Sequence, residues 1–348
     1  LYLRYIQVFN VKNNDSIIKP YTIINSISIA FLFIGLASSY VVNESFIFST
    51  FSFSGEIWEY LSIIFVLTFL VIQIGVPPFH FLAFKQSETR NISASNILII
   101  IQRGIALAFL VKYAVLIRNS KISVVLFFLF IVLGSIYTIW SSIATMTIKK
   151  LLNLSHYTSF IQIGIAFILL SFIFSSSVEK HLKIDINITV QALAFYSIMY
   201  IIIFSFSLAI VDLITKNHKT DDLELLRREG RNSIIQRVLI ILSLIFQFVL
   251  PIFVGLICQL FSFQTFNFLQ LYIISAIIIV TLLFTTVYLI NITKILTSRD
   301  TLKHSEISSI EPGIYISLIL SLFIIIGLSI FYSNLLEFCQ QMANSLFS

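Results

Sequence analysis

Apolar runs of twenty or more residues recur from one end of this 348-residue chain to the other. Lipid offers no hydrogen-bond partner to a bare peptide group, so only helices and closed barrels cross it. A barrel strand alternates apolar and polar residues over about ten positions. These runs are continuous, so the chain reads as an all-α, polytopic membrane protein. Charge agrees: 11% of the residues are charged, against about 25% in a soluble domain. Cys258 and Cys339 fall in or beside the apolar runs and imply neither a disulfide framework nor a cysteine cluster.

Nine spans are expected, at roughly 21–42, 57–78, 93–115, 122–146, 151–175, 188–212, 236–261, 268–293 and 313–335. They form one membrane domain, 1–348. The opening "LYLRYIQVFNVKNND" is too broken by polar residues to read as a cleavable signal. The longest polar connection is Thr215–Ser233. Its "DDLELLRR" core suits a short surface helix, acids first and arginines last, as well as it suits a solvated loop.

Basic residues test the span count. Sorted by side, fifteen Lys and Arg fall in connections on the N-terminal side and four on the other. The positive-inside rule then puts the N-terminus and the 215–233 connection in the matrix or cytoplasm, and the C-terminus opposite. The net charge of +6 is mostly topology, and gives no reason to expect a nucleic-acid partner. Thirty-five Phe beside ten Gly and five Pro suggest A/T-rich codons, such as an organelle genome uses.

Polar residues inside spans are costly and usually face protein or water. "IQIGVPPFHF", Ile72–Phe81, ends span two with Gly75, Pro77, Pro78 and His80 just after Gln73. Proline has no N–H, so each one orphans a carbonyl a turn earlier. On pattern alone, the helix either stops at the interface or breaks at depth, where its loose carbonyls need partners. Arg103 lies deep in span three, too far in to snorkel easily, and calls for a functional or inter-subunit partner. Lys112, near the end of the same span, snorkels. In span five, Ser155, His156, Thr158, Ser159 and Gln162 form a spiral of hydrogen-bonding side chains. His156 there is either a proton relay or a solvated interface residue. Span seven carries Pro251, Gly255 and Gln259, which suit a second break or a kinked packing helix equally. Asp212 reads as a capped or solvated carboxylate at the end of span six. No phosphate loop or metal-spaced Cys/His set is present in the sequence.

These segments, taken in order, carry a family resemblance. "IQIGVPPFHFLAF" resembles the "KxGxxPFHFW" segment of the antiporter-like subunits of respiratory complex I. "IIIQRGIAL" is similar to that family's "LTWQKLAP". Trp140 and "IKKLLNLSHYTSFIQIG" resemble its Trp followed by "LRKILAYSSIxHMG". "LSLIFQFVLPIFVGLICQLF" resembles "LSLGGLPPLTGFLPKW", and Tyr288-Leu289 falls where the family has "YLRLIY". The likeness covers nearly the whole chain and is strongest to the subunit-2 type of mitochondria. It favours a helix broken at mid-membrane over an ordinary helix end.

The resemblance implies an antiporter-like fold with two discontinuous helices. It implies a membrane-arm role in an NADH:ubiquinone reductase that translocates protons across the mitochondrial inner membrane. Flavin and iron–sulfur clusters would reside in other subunits, with no redox cofactor or metal in this chain. The partners would be other complex I subunits and bound lipids. It also implies a proton path through Gln73, Arg103, His156, Ser159 and Gln259, but the chemistry departs from the family. Gln73 and Gln259 stand where the family has lysines, and only Arg103 stays cationic. Lysine releases a proton when buried, whereas arginine does not in practice and glutamine carries no charge. The family's histidine position falls at Ser159, with His156 nearly one turn earlier.

The family's glutamate-bearing helix has no counterpart before "SIIKPYTIINS". Three sources are open: a separate chain, which is preferred, a reduced gene, or a partial sequence. Two rival functions are a stand-alone cation/proton antiporter subunit and a purely structural membrane subunit.

Overall fold

The computed structural model describes residues 15–44, 57–76, 79–80, 92–148, 150–174, 186–218 and 337–341. Six long helices carry the fold, and the described residues hold no β-strand. They are α1 (Asp15–Asn43), α2 (Ile57–Ile74), α3 (Ile92–Ile117), α4 (Ser123–Thr147), α5 (Leu151–Ser171) and α6 (Ile186–His218). A short 3₁₀ turn, Phe172–Phe174, extends α5. All six helices are long and apolar enough to cross a membrane, and they coincide with the first six expected spans. The remaining three expected spans lie outside the described residues. So does most of the 215–233 connection, although α6 runs on to His218 and makes its first residues helical.

The helices pack as an antiparallel set in which α1 lies on α2, α2 on α3, α3 on α6, and α4 and α6 on α5. Helix α5 is the centre. Its span is 94% buried, against 22% for that of α1 and 39% for that of α4. This is why the Ser155–Gln162 segment carries polar groups. A central helix has no lipid face, so its hydroxyls and amide meet protein on every side.

Small residues set the closest crossings, as van der Waals packing requires where no hydrophobic force drives helices together. A Cβ added to Gly134 of α4 would sit 2.7 Å from the Gly164 carbonyl of α5. One added to Gly164 would meet the Thr138 methyl at 2.5 Å. Gly134, Thr138 and Ser142 recur every fourth residue, one small-residue seam along α4. Thr138 and Ser142 satisfy their hydroxyls on carbonyls of their own helix, at Ser135 and Ile139. Gly104 does the same for α3 and α6, where an added Cβ would collide with Ile201. That crossing brings Tyr200 of α6 up to Arg103 of α3.

Candidate functional site

The break after α2 is a glycine cap, and it forms before the prolines. Gly75 has φ +83°, the left-handed conformation that suits a residue without Cβ. Its N–H donates to the Ile72 carbonyl at 3.1 Å, and the next N–H, of Val76, donates to Val71 at 3.2 Å. These two bonds are the Schellman motif that closes helix C-termini. The Phe79 N–H then donates to Val76 in a tight turn that presents His80. The helix ends at Ile74, four residues short of the expected span, in a cap whose bonds serve the Val71 and Ile72 carbonyls. Pro77, Pro78 and the continuation beyond His80 lie outside the described residues.

The break sits deep. Gly75 abuts Arg103: a Cβ built on it would lie 3.4 Å from Nη2 of the guanidinium. Its carbonyl accepts a hydrogen bond from the Tyr137 hydroxyl at 2.9 Å. At about 1.5 Å rise per residue, Arg103 lies about 16 Å from the start of α3, and Tyr137 about 15 Å from the end of α4. Both figures are near half of a hydrocarbon core about 30 Å thick.

Arg103 is the centre of the site and only 3% exposed. It donates to the Ser159 hydroxyl at 3.0 Å. Its guanidinium carbon stands 4.7 Å above the Phe160 ring, a cation–π contact. Tyr200 lies close to Arg103 and Ser159, but its hydroxyl hydrogen-bonds to neither. Ser159 in turn donates to the His156 carbonyl at 2.9 Å. The partners described for the guanidinium are therefore neutral: a hydroxyl and a π face. Its charge reaches His80, His156 and Tyr137 as well. His80 meets Trp140 edge-on at 4.6 Å and Phe160 at 6.4 Å. One aromatic layer from α4 and α5 thus lies between the turn after the break and the buried cation.

Beside this centre runs a second, uncharged network. The Gln73 amide N–H groups donate to Asn25 Oδ1 and to Ser28 Oγ, each at 2.7 Å. Its carbonyl accepts from the Gln102 amide. Ser28 passes its own proton to the Asn25 backbone carbonyl at 2.7 Å. On the far side, the Tyr196 hydroxyl lies 2.8 Å from the Gln162 backbone carbonyl and 2.5 Å from its side-chain oxygen. Polar groups therefore cross the bundle at one level, from α1 through α2, α3 and α5 to α6.

Among the candidate residues, Gly75, Arg103 and Ser159 converge on one point. Gln73 joins the same level through Gln102, the neighbour of Arg103. His156 is fully buried on α5, and Ser159, one turn on, makes the contact with the guanidinium. Lys112 is exposed. Pro251, Gly255 and Gln259 lie outside the described residues, as does the Asp212 side chain. Sequence reasoning left out Tyr137, Phe160, Tyr200, Gln102, Asn25 and Ser28. Gln102 and Asn25 were visible as amides inside spans, but nothing distinguished Tyr137 or Phe160 among fourteen Tyr and thirty-five Phe.

No protein-family model matches the sequence, and no curated protein matches it. The fold does match solved structures. A chain of the membrane-bound sulfane sulfur reductase, an archaeal respiratory membrane complex, aligns with a TM-score of 0.75 at 13% identity, covering 97% of this chain and 68% of that one. A chain of respiratory complex I from Thermus thermophilus aligns at 0.69 and 13% identity, over 93% and 68%. A chain of the Mrp complex from Dietzia sp. DQ12-45-1b aligns at 0.69 and 14% identity, over 96% and 68%. The fold is that of the antiporter-like membrane subunits found in complex I and related complexes.

Proposed function

We propose that this chain is a core membrane-arm subunit of respiratory complex I, of the mitochondrial subunit-2 type. In that role it helps couple electron transfer from NADH to ubiquinone, carried out in other subunits, to proton translocation across the inner mitochondrial membrane. The N-terminus faces the matrix and the C-terminus the intermembrane space. Three observations support the reading: the ordered motifs, the fold shared with a chain of complex I, and the polar level across the bundle.

The observation that carries it furthest is Arg103, a buried cation lodged against a helix break at mid-depth. Its charge is fixed, because a guanidinium does not release its proton in practice. Gln73, its neighbour in the network, holds no exchangeable charge. This chain therefore supplies an electrostatic post within the polar axis, and does not cycle protons on lysines at these two positions. The neutral Gln73 network favours a second reading, a structural subunit that joins other parts of the assembly without translocation. A stand-alone antiporter needs a titratable cation or acid at the break, where this chain has Gln73 and Arg103.

Native-gel separation tests membership. The chain should co-migrate with NADH dehydrogenase activity, and migration in a complex without that activity would exclude the reading. The proton-to-electron ratio in vesicles then separates the two complex I readings. A full complement of protons that falls when this subunit's path is blocked would contradict the fixed-charge account.

A further inference from the structure

Tyr137 occupies a place that the proton path as drawn does not use. Its ring is fully packed, stacked on Phe160 at 5.4 Å and beside Trp140 at 6.5 Å. Phe160 is the same ring that carries the Arg103 guanidinium on its face. Its hydroxyl donates to the Gly75 carbonyl at 2.9 Å. That carbonyl lies just past the Schellman cap, whose own bonds serve Val71 and Ile72 and not Gly75. Gly75 is buried, so its carbonyl cannot turn to water.

A second donor stands next to Gly75. Arg103 Nη2 comes within ordinary contact distance of the position a Gly75 side chain would take. A guanidinium has five N–H groups, and Nη1 is committed to Ser159. If the tyrosine hydroxyl is removed, Arg103 is a donor close enough to Gly75 to turn to its carbonyl. Resting on the functional reading above, we propose that Tyr137 is the positioning residue of the site. By occupying the Gly75 carbonyl, it keeps Arg103 directed at Ser159 and flat on Phe160 instead of collapsed onto the break.

The test is a double-mutant cycle in the intact complex, with Tyr137→Phe and Arg103→Leu made singly and together. Tyr137→Phe keeps the stacked ring and deletes only the hydroxyl. Thermal stability is read first, because it does not depend on what the complex does. With Arg103 present, the guanidinium moves onto Gly75 and the midpoint falls little. With Leu at 103 nothing replaces the hydroxyl, and the same substitution lowers the midpoint by several times as much. Equal falls in both backgrounds would overturn the proposal, since they are what a purely structural tyrosine gives.

Proton translocation per electron gives the opposite sign. Tyr137→Phe lowers it when Arg103 is present and has no further effect once Arg103→Leu has been made. Independent losses in the two backgrounds, or no loss in the single variant, would also overturn it. If the chain does not co-purify with NADH dehydrogenase activity, the complex I reading fails. The stability cycle still decides the role of Tyr137.

Discussion

Arg103 of α3 donates to the Ser159 hydroxyl of α5 at 3.0 Å, with both side chains buried inside the bundle. A cation so buried is costly unless hydrogen bonds and dipoles replace the water it lost. Here the described replacement is neutral and comes from α5: the Ser159 hydroxyl and the Phe160 ring.

Replacing Arg103 by lysine tests what the fixed charge does. Lysine keeps a positive charge but loses the flat face that lies on Phe160, and desolvation lets it release a proton. Arg103→Lys is expected to preserve assembly. It should also give proton translocation a pH dependence in the neutral-to-alkaline range that the parent lacks. The measurement is the proton-to-electron ratio in vesicles between pH 6 and about pH 9, within the range a desolvated lysine reaches. Two superimposable profiles would argue that the residue at 103 does not face the transported proton.

Gly75→Ala tests the cap. The added methyl meets Arg103 Nη2 at 3.4 Å, ordinary van der Waals contact, so crowding is not the main cost. The left-handed backbone is, since φ is +83°. Holding a residue with a Cβ there costs about 1–2 kcal/mol. The expected result is a lowered unfolding midpoint with the complex still assembled, read by thermal denaturation in detergent. Gly75→Asn should lose less, because Asn tolerates that region better.

Gly164→Ala tests the α4–α5 seam by crowding alone. Its Cβ would lie 2.5 Å from the Thr138 methyl and 2.9 Å from the Gly134 carbonyl, and a backbone carbonyl does not swing aside. Forcing the helices apart should cost about 1–3 kcal/mol, seen as a reduced yield of assembled complex. The double variant Gly164→Ala/Thr138→Ser removes the methyl clash, leaving those with the Gly134 carbonyl and the Thr138 backbone nitrogen, and should recover part of the yield. No recovery would mean that the seam does not set this crossing.

Much of this was legible in the sequence, and the reasons differ residue by residue. Six expected spans coincide with α1–α6 because each is a continuous apolar run, the strongest signal a membrane chain gives. The break was legible because Gly75 followed by Pro77 is itself the grammar of a helix stop. Arg103 was found by depth alone. Its surroundings were not, because a polar spiral on one helix does not tell which turn faces a neighbour. Three residues along a helix turn it by roughly 300°, and that rotation decides between His156 and Ser159. The Asn25–Gln73 bond joins positions 48 apart, a pairing set only when α1 and α2 pack. Tyr137 carried no signal at all: what marks it is the carbonyl opposite, not the residue.

Gln73 gives the last prediction. Its amide is nearly saturated, donating to Asn25 and Ser28 and accepting from Gln102. Gln73→Leu takes one hydrogen bond from each of Asn25, Ser28 and Gln102. Each unsatisfied buried group costs about 1–3 kcal/mol, although membrane hydrogen bonds average nearer 0.6 kcal/mol because lost partners find others. Gln73→Lys is the more telling change. An ammonium keeps both donations, to Asn25 Oδ1 and Ser28 Oγ, and loses only the acceptance from Gln102. It also places a second positive charge beside Arg103, on a group able to shed its proton. Gln73→Lys is therefore expected to destabilise less than Gln73→Leu above about pH 9, where the lysine can go neutral. At lower pH it should destabilise more, as the two cations repel. Thermal midpoints of both variants across that range check the crossover. Parallel curves would mean that Gln73 and Arg103 do not share one electrostatic site.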